Sequence, residues 1–142
     1  VWESYISTID PKFNIQIIHP THDDYKSIHQ PIFEQVGIAY IPQKLKTVYI
    51  DGRETKKKYF TKDHLLAIEA HEISHDILKH KRCYIGEEIE ADLCGIFLLE
   101  NKKYFKAAKI LSERFERQYE IKSSEVPLSK KSSKLLIKYL KK

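Results

Sequence analysis

His71 and His75, in the segment His71-Glu72-Ile73-Ser74-His75, stand four residues apart. On a helix that spacing brings both side chains to one face, about 40° apart, so the two imidazoles can reach a single metal ion. Glu72 projects from nearly the same side, where its carboxylate can hold a metal-bound water. The chemistry open to such a trio is metal-assisted hydrolysis. Residues 62–80 carry the pattern of the helix that would present it. At about 100° per residue, His71, His75, Glu72 and Ile68 share one sector. Leu66, Ala67, Ala70, Ile73, Ser74, Ile77 and Leu78 form a broad core-facing sector. Glu69, Asp76 and His80 form a polar strip expected to face solvent. Thr61 is the expected cap and His80 the expected end. His80 would lie about 140° from His75 on an unbroken helix, so the sequence assigns it to Asp76 rather than to the metal.

A pair of histidines needs at least one more protein ligand. Residues 87–99 read as the next helix and offer Glu87, Glu88, Glu90 and Asp92. Glu88 and Asp92 share a face that Gly95 and Leu99 continue, whereas Glu90 points nearly the opposite way. Glu88 is therefore the expected metal ligand and Glu90 the fallback. Asp92, one turn further on, can accept the second ring N–H of a ligand histidine. Gly95 on the same stripe allows close approach of the two helices.

The remaining elements have to position these helices. Residues 13–18 alternate as a strand. Thr21 or Asp23 could cap a short helix that Pro31 interrupts, and a helical turn from Pro31 to Val36 closes at Gly37. Residues 38–41 and 45–50 read as strands. Asp51-Gly52 is a hairpin signal, with residues 53–60 as a lysine-rich return strand at the sheet edge. His19, His22 and His29 lack ligand spacing and read as surface or capping residues. Further on, residues 102–119 present Tyr104, Ala108, Leu111 and Phe115 as a core stripe. Ser129 caps a basic amphipathic helix at 130–140. The expected fold is α+β, with a small twisted sheet packed against a metal-site helix and a glutamate helix.

The 142 residues read as one domain. The net charge of +5 sets 25 basic residues, mostly lysines spread along the chain, against 20 acidic ones, which suits a solvated surface. Without interleaved aromatic and basic residues, nucleic-acid binding ranks last among the readings. The two cysteines, Cys83 and Cys94, form no CxxC pair and no secreted disulfide framework. No apolar run nears the roughly 18 residues of a membrane span, and no signal-peptide core is present. Cytoplasm is the default location.

Several longer matches point to one family. Residues 60–72, Phe-Thr-Lys-Asp-His-Leu-Leu-Ala-Ile-Glu-Ala-His-Glu, resemble the approach to the metal site in HtpX-like and CAAX-prenyl-protease-like gluzincins. Glu88-Ile89-Glu90-Ala91-Asp92, with Gly95 and Leu98-Leu99, is similar to their second motif. Tyr104, Ala107-Ala108 and Leu111 resemble the next segment of those families. Because no membrane span accompanies these motifs, the resemblance is to the soluble minigluzincins, which are minimal versions of that zincin-like catalytic domain. It implies a zinc metallopeptidase with one zinc ion per chain, held by His71, His75 and Glu88. Glu72 would be the general base, and the substrate a peptide or protein. Minigluzincins also occur in latent form, with a chain segment covering the cleft, and the basic C-terminal segment is the candidate cover here. Membrane members often carry a His-Pro motif near the C-terminus. Val126-Pro127 stands in that region, so the resemblance supplies no oxyanion-stabilising residue. Two other readings stay open: an ImmA/IrrE-type regulatory peptidase, and a zinc-binding interaction domain without catalysis.

Overall fold

The computed structural model describes residues 2–42, 45–81 and 85–142. The chain runs β1 (Trp2–Ile6), β2 (Asn14–Ile18), a π-helical turn (Tyr25–His29), α1 (Gln30–Val36), β3 (Ala39–Tyr40) and β4 (Thr47–Asp51). It continues through α2 (Gly52–Thr55), α3 (Lys62–Ile77), α4 (Ile85–Asn101), α5 (Phe105–Tyr119), a 3-10 turn (Ser123–Glu125) and α6 (Lys130–Leu140). The architecture is α+β. Its four strands lie in the order β1-β2-β4-β3, with β2 and β4 parallel and both outer pairs antiparallel.

Alternation along the strands sorts the layers. Ile15 and Ile17 of β2, with Val48 and Ile50 of β4, join the core made with α3, α4, α5 and α6. Ile18, on the opposite face, packs with Tyr25, Phe33, Tyr40 and Tyr49 beneath α1. His29 belongs to this second cluster and not to the surface. It is buried, its Nδ1 lies 3.1 Å from the Tyr40 hydroxyl, and its ring packs on Tyr49. His22 does have a capping role, its Nδ1 accepting the Asp24 N–H. Neither Thr21 nor Asp23 caps the π-helical turn, which starts after Asp24 with no side-chain cap.

The expected lysine-rich hairpin is absent. Asp51 caps α2 instead, its side chain accepting the Arg53 N–H at 3.0 Å, while the Arg53 guanidinium grips the same carboxylate at 2.9 Å. A Cβ on Gly52 would sit 2.8 Å from the Ile18 carbonyl oxygen and 2.5 Å from His19 Nδ1. The glycine thus serves close packing of the strand-to-helix turn against the end of β2. An Asp-Gly pair suits both geometries, and the packing on β2 selects this one. The exposed edges are then β1 and the short β3.

α3 begins as expected, with a reciprocal cap in which Thr61 accepts the His64 N–H and His64 Nδ1 accepts the Thr61 N–H. It ends three residues early. Lys79 adopts φ 55°, its N–H bonds to the Asp76 carbonyl, and the His80 N–H bonds back to the His75 carbonyl at 2.9 Å. That is a Schellman termination with lysine in the usual glycine place. Lys103, at φ 66°, ends α4 in the same way. Glu69, assigned to solvent by the helical pattern, is 1% exposed. Its carboxylate accepts from the Tyr5 and Ser7 hydroxyls at 3.0 and 2.7 Å, because β1 and the residues after it cover that face of α3.

α6 spans the expected residues, capped by Ser129. Leu136 is in the core and the Tyr139 hydroxyl donates to Asp10 at 2.8 Å. Cys94 is a buried free thiol; Cys83 and most of the connector at 81–85 lie outside the described residues. Among the described residues, no helix is long and apolar enough to cross a membrane.

α3 and α4 cross at Gly95, where an added Cβ would lie 3.3 Å from the Ala70 backbone and 2.9 Å from a Leu111 methyl. Gly95→Ala gains up to about 1 kcal/mol of helix propensity, against roughly 1–3 kcal/mol of overpacking. A net loss on the order of 1 kcal/mol is expected in urea denaturation; a gain in stability would show that the crossing has slack.

Candidate metal centre

The crossing of α3 and α4 assembles the site. His71 and Glu72 project from α3 one turn before His75, while Glu88 and Asp92 project from α4 one turn apart. The Nε2 atoms of His71 and His75 are 3.2 Å apart, with their rings nearly perpendicular at 88°. Glu88 reaches both imidazoles, Oε1 lying 3.5 Å from His71 Nε2 and Oε2 2.6 Å from His75 Nε2. Glu72 Oε2 is 3.7 Å from His71 Nε2. The ligand-capable atoms of His71, Glu72 and His75 all lie within 4.8 Å of one another.

These residues fit a metal ion. Bonds of about 2.0–2.1 Å in a tetrahedral shell place neighbouring ligand atoms about 3.3 Å apart. The His71–His75 and His71–Glu88 separations match that spacing, and the His75–Glu88 separation would open by about 0.7 Å. Glu88 Oε2 is buried and 2.6 Å from His75 Nε2, off the regular hydrogen-bond geometry. Proximity without hydrogen-bond geometry is what donor atoms turned toward a shared cation show. Either carboxylate could complete a set with the histidines. Glu88 lies 3.5 and 2.6 Å from the two imidazoles, and Glu72 lies 3.7 Å from His71 Nε2 and within 4.8 Å of both.

Each histidine is held from behind. His71 Nδ1 lies 2.6 Å from Asp92 Oδ1, both side chains being buried. His75 Nδ1 lies 2.8 Å from His80 Nδ1. The expected His80–Asp76 pair does not form, because the early helix end carries His80 back over the last turn and Asp76 pairs with Lys46. Glu90, the fallback ligand, faces away and accepts the Ser129 N–H at the start of α6.

Burial and neighbouring charge set the protonation of the metal-free site. Burial opposes a charged imidazole at His71, but hydrogen bonds to Asp92 and Glu88 outweigh it and push the group up to about 10. At Glu88 burial acts upward, and the two imidazoles override it, holding the carboxyl well below the usual range. Glu72 is raised, chiefly by burial, with His71, His75 and Arg114 pulling the other way. Burial, then His75, lowers His80. On α5, the Tyr119 phenol is raised by burial and then by the charges of Asp92 and Glu88. Arg114 and Tyr119 thus lie within electrostatic reach of the site. The helical stripe of Leu111 and Phe115 leads to Tyr119 one turn later, and that was the signal in the sequence.

A cleft of about 590 Å³ opens onto the site. Glu72, His75, His80 and Glu88 line one side. Ile32 and Val36 of α1, Ala39 and Tyr40 of β3, and Ile41, Pro42 and Leu45 line the other. No described residue of α6 lines it, so the basic C-terminal helix packs elsewhere and is not the cover of this cleft. Compared with known proteins, the chain matches no family model, no curated protein and no solved structure.

A metal ion must displace the proton that His71 holds. Since that group titrates near 10, apparent metal affinity should rise with pH through neutrality, by about tenfold per unit for each proton displaced. The same raised value gives the metal-free chain a stabilisation that is complete below the unfolded histidine value of about 6.5 and is lost as pH rises through about 10. Chelator competition from about pH 6 to 9 tests the first statement. A flat profile would mean that His71 is not a ligand.

Proposed function

We propose that the chain is a zinc-dependent peptidase with a gluzincin-type centre in which His71, His75 and Glu88 hold the metal and Glu72 is the general base. One observation carries this reading: the two Nε2 atoms, 3.2 Å apart, and the Glu88 carboxylate converge beside Glu72, whose Oε2 is 3.7 Å from His71 Nε2. The resemblance of residues 60–72 and 88–92 to gluzincin motifs supports it. So does a cleft bordered by a sheet edge.

Zinc, when bound, supplies the Lewis acidity that activates a water and polarises a carbonyl. Glu72 accepts the water's proton at its carboxylate and passes it to the departing amine. Its raised proton affinity in the buried site suits that exchange. Asp92 keeps His71 in the tautomer whose Nε2 lone pair faces inward. Among the described residues no strand pairs with the outer edge of β3, so an extended substrate can add there through its backbone. The lining of Ile32, Val36, Ile41 and Leu45 favours a substrate with large apolar side chains.

Glu72→Gln should retain zinc and lower hydrolysis of a peptide library by at least about 10². His75→Ala and Glu88→Ala should weaken zinc binding, and Glu90→Ala should not. Full activity in Glu72→Gln would rule out Glu72 as the general base. Zinc bound without cleavage of any peptide would leave an interaction domain. Within an active enzyme, Val36→Asp should raise KM for peptides with large apolar residues and leave zinc affinity unchanged; an unaltered KM would place the substrate outside this cleft.

A further inference from the structure

The two histidines of the metal centre are supported unequally. His71 leans on a buried carboxylate, Asp92, at 2.6 Å. His75 leans on another imidazole, with the Nδ1 atoms of His75 and His80 2.8 Å apart and the rings inclined at 67°. The backbone enforces this contact. Lys79 turns the chain through a left-handed conformation at φ 55°, and the His80 N–H bonds to the carbonyl of His75 itself. The residue that supports the ring is therefore tied to the same residue's main chain.

Two imidazole nitrogens at this distance need one donor and one acceptor. The Nε2 atom of His75 faces His71 Nε2 at 3.2 Å and Glu88 Oε2 at 2.6 Å, and a metal on that side requires a lone pair there. The single proton of neutral His75 then sits on Nδ1. His80 must accept it through its own Nδ1 and carry its proton on Nε2. The opposite assignment would turn an N–H of His75 toward the donors and exclude a metal. A neutral acceptor also suits the local charge. Glu72, Glu88 and Asp92 already bring three carboxylates to one site, and an acidic residue at position 80 would add a fourth.

We infer that His80 is a positioning residue of the metal centre, one that fixes the tautomer and ring orientation of His75 by accepting its Nδ1–H; this rests on the zinc reading above. His80 is not a ligand, since its Nδ1 is spent on the ring nitrogen of His75 that does not face the other donors. Its role is to keep His75 ready without adding charge.

The test uses the full chain with zinc as the probe. His80→Phe keeps a ring and removes the acceptor, whereas His80→Asn places an amide oxygen near the position of the imidazole Nδ1. His80→Phe should weaken zinc affinity by about 10- to 100-fold in chelator competition, and His80→Asn should restore most of it. In the zinc-loaded parent, the His75 Nδ1 proton should appear at low field in nitrogen-edited NMR, persist in His80→Asn and shift or vanish in His80→Phe. Circular dichroism of the metal-free variants checks that both fold. Parent-like affinity in His80→Phe, or an equal loss in both variants, overturns the assignment while the metal reading stands. A parent chain that takes up no zinc overturns both.

Discussion

The candidate metal centre depends on how closely two helix backbones approach. With no side chain at Gly95, α4 rests on the Ala70 carbonyl of α3, and the antiparallel register is set by that contact. One turn toward the C-terminus of α3, each residue meets a partner one turn toward the N-terminus of α4. His71 thus meets Asp92, and His75 meets Glu88. A wider crossing would separate every one of these pairs together. The small residues at the crossing therefore matter as much to the candidate site as the side chains that converge on it.

The same approach forces ionisable groups out of water and against each other. Burial alone would leave the carboxyls protonated and the imidazoles neutral. At His71 and Glu88 the neighbours overrule it, and a proton is shared out among oppositely charged partners. At Glu72 and His80 burial prevails. Adjacent groups of the same type are thus pushed in opposite directions, which separates those held charged from those held neutral.

Much of this was legible in the residues. The α3 pattern, the Thr61 cap, the Glu88–Asp92 stripe and the closing basic helix arise from local periodicity and capping, which act within a few residues. The features that escaped depended on distant neighbours. The helical wheel gives the direction of Glu69 but says nothing of Tyr5 and Ser7 arriving from β1. Asp51-Gly52 carries the signal of a hairpin, and only the fit of Gly52 against Ile18 and His19 turns it into a helix start. Lys79 bears no mark of a helix end, since glycine or asparagine is the usual sign. The placement of His80 was hidden with it.

The hydrogen bond from Tyr139 to Asp10 spans 129 positions in sequence, and Leu136 completes a core that also contains Phe13, Ile15, Ala70 and Ile73. Contacts of such long separation incur their loop-closure entropy before they return any stability. A chain emerging from the ribosome can therefore form α3, α4 and their crossing while one side of the core is still open. The candidate donor atoms are encoded in the middle of the chain, whereas a core contact comes from residues 136–139, so the order of synthesis separates bringing those atoms together from closing the core behind them.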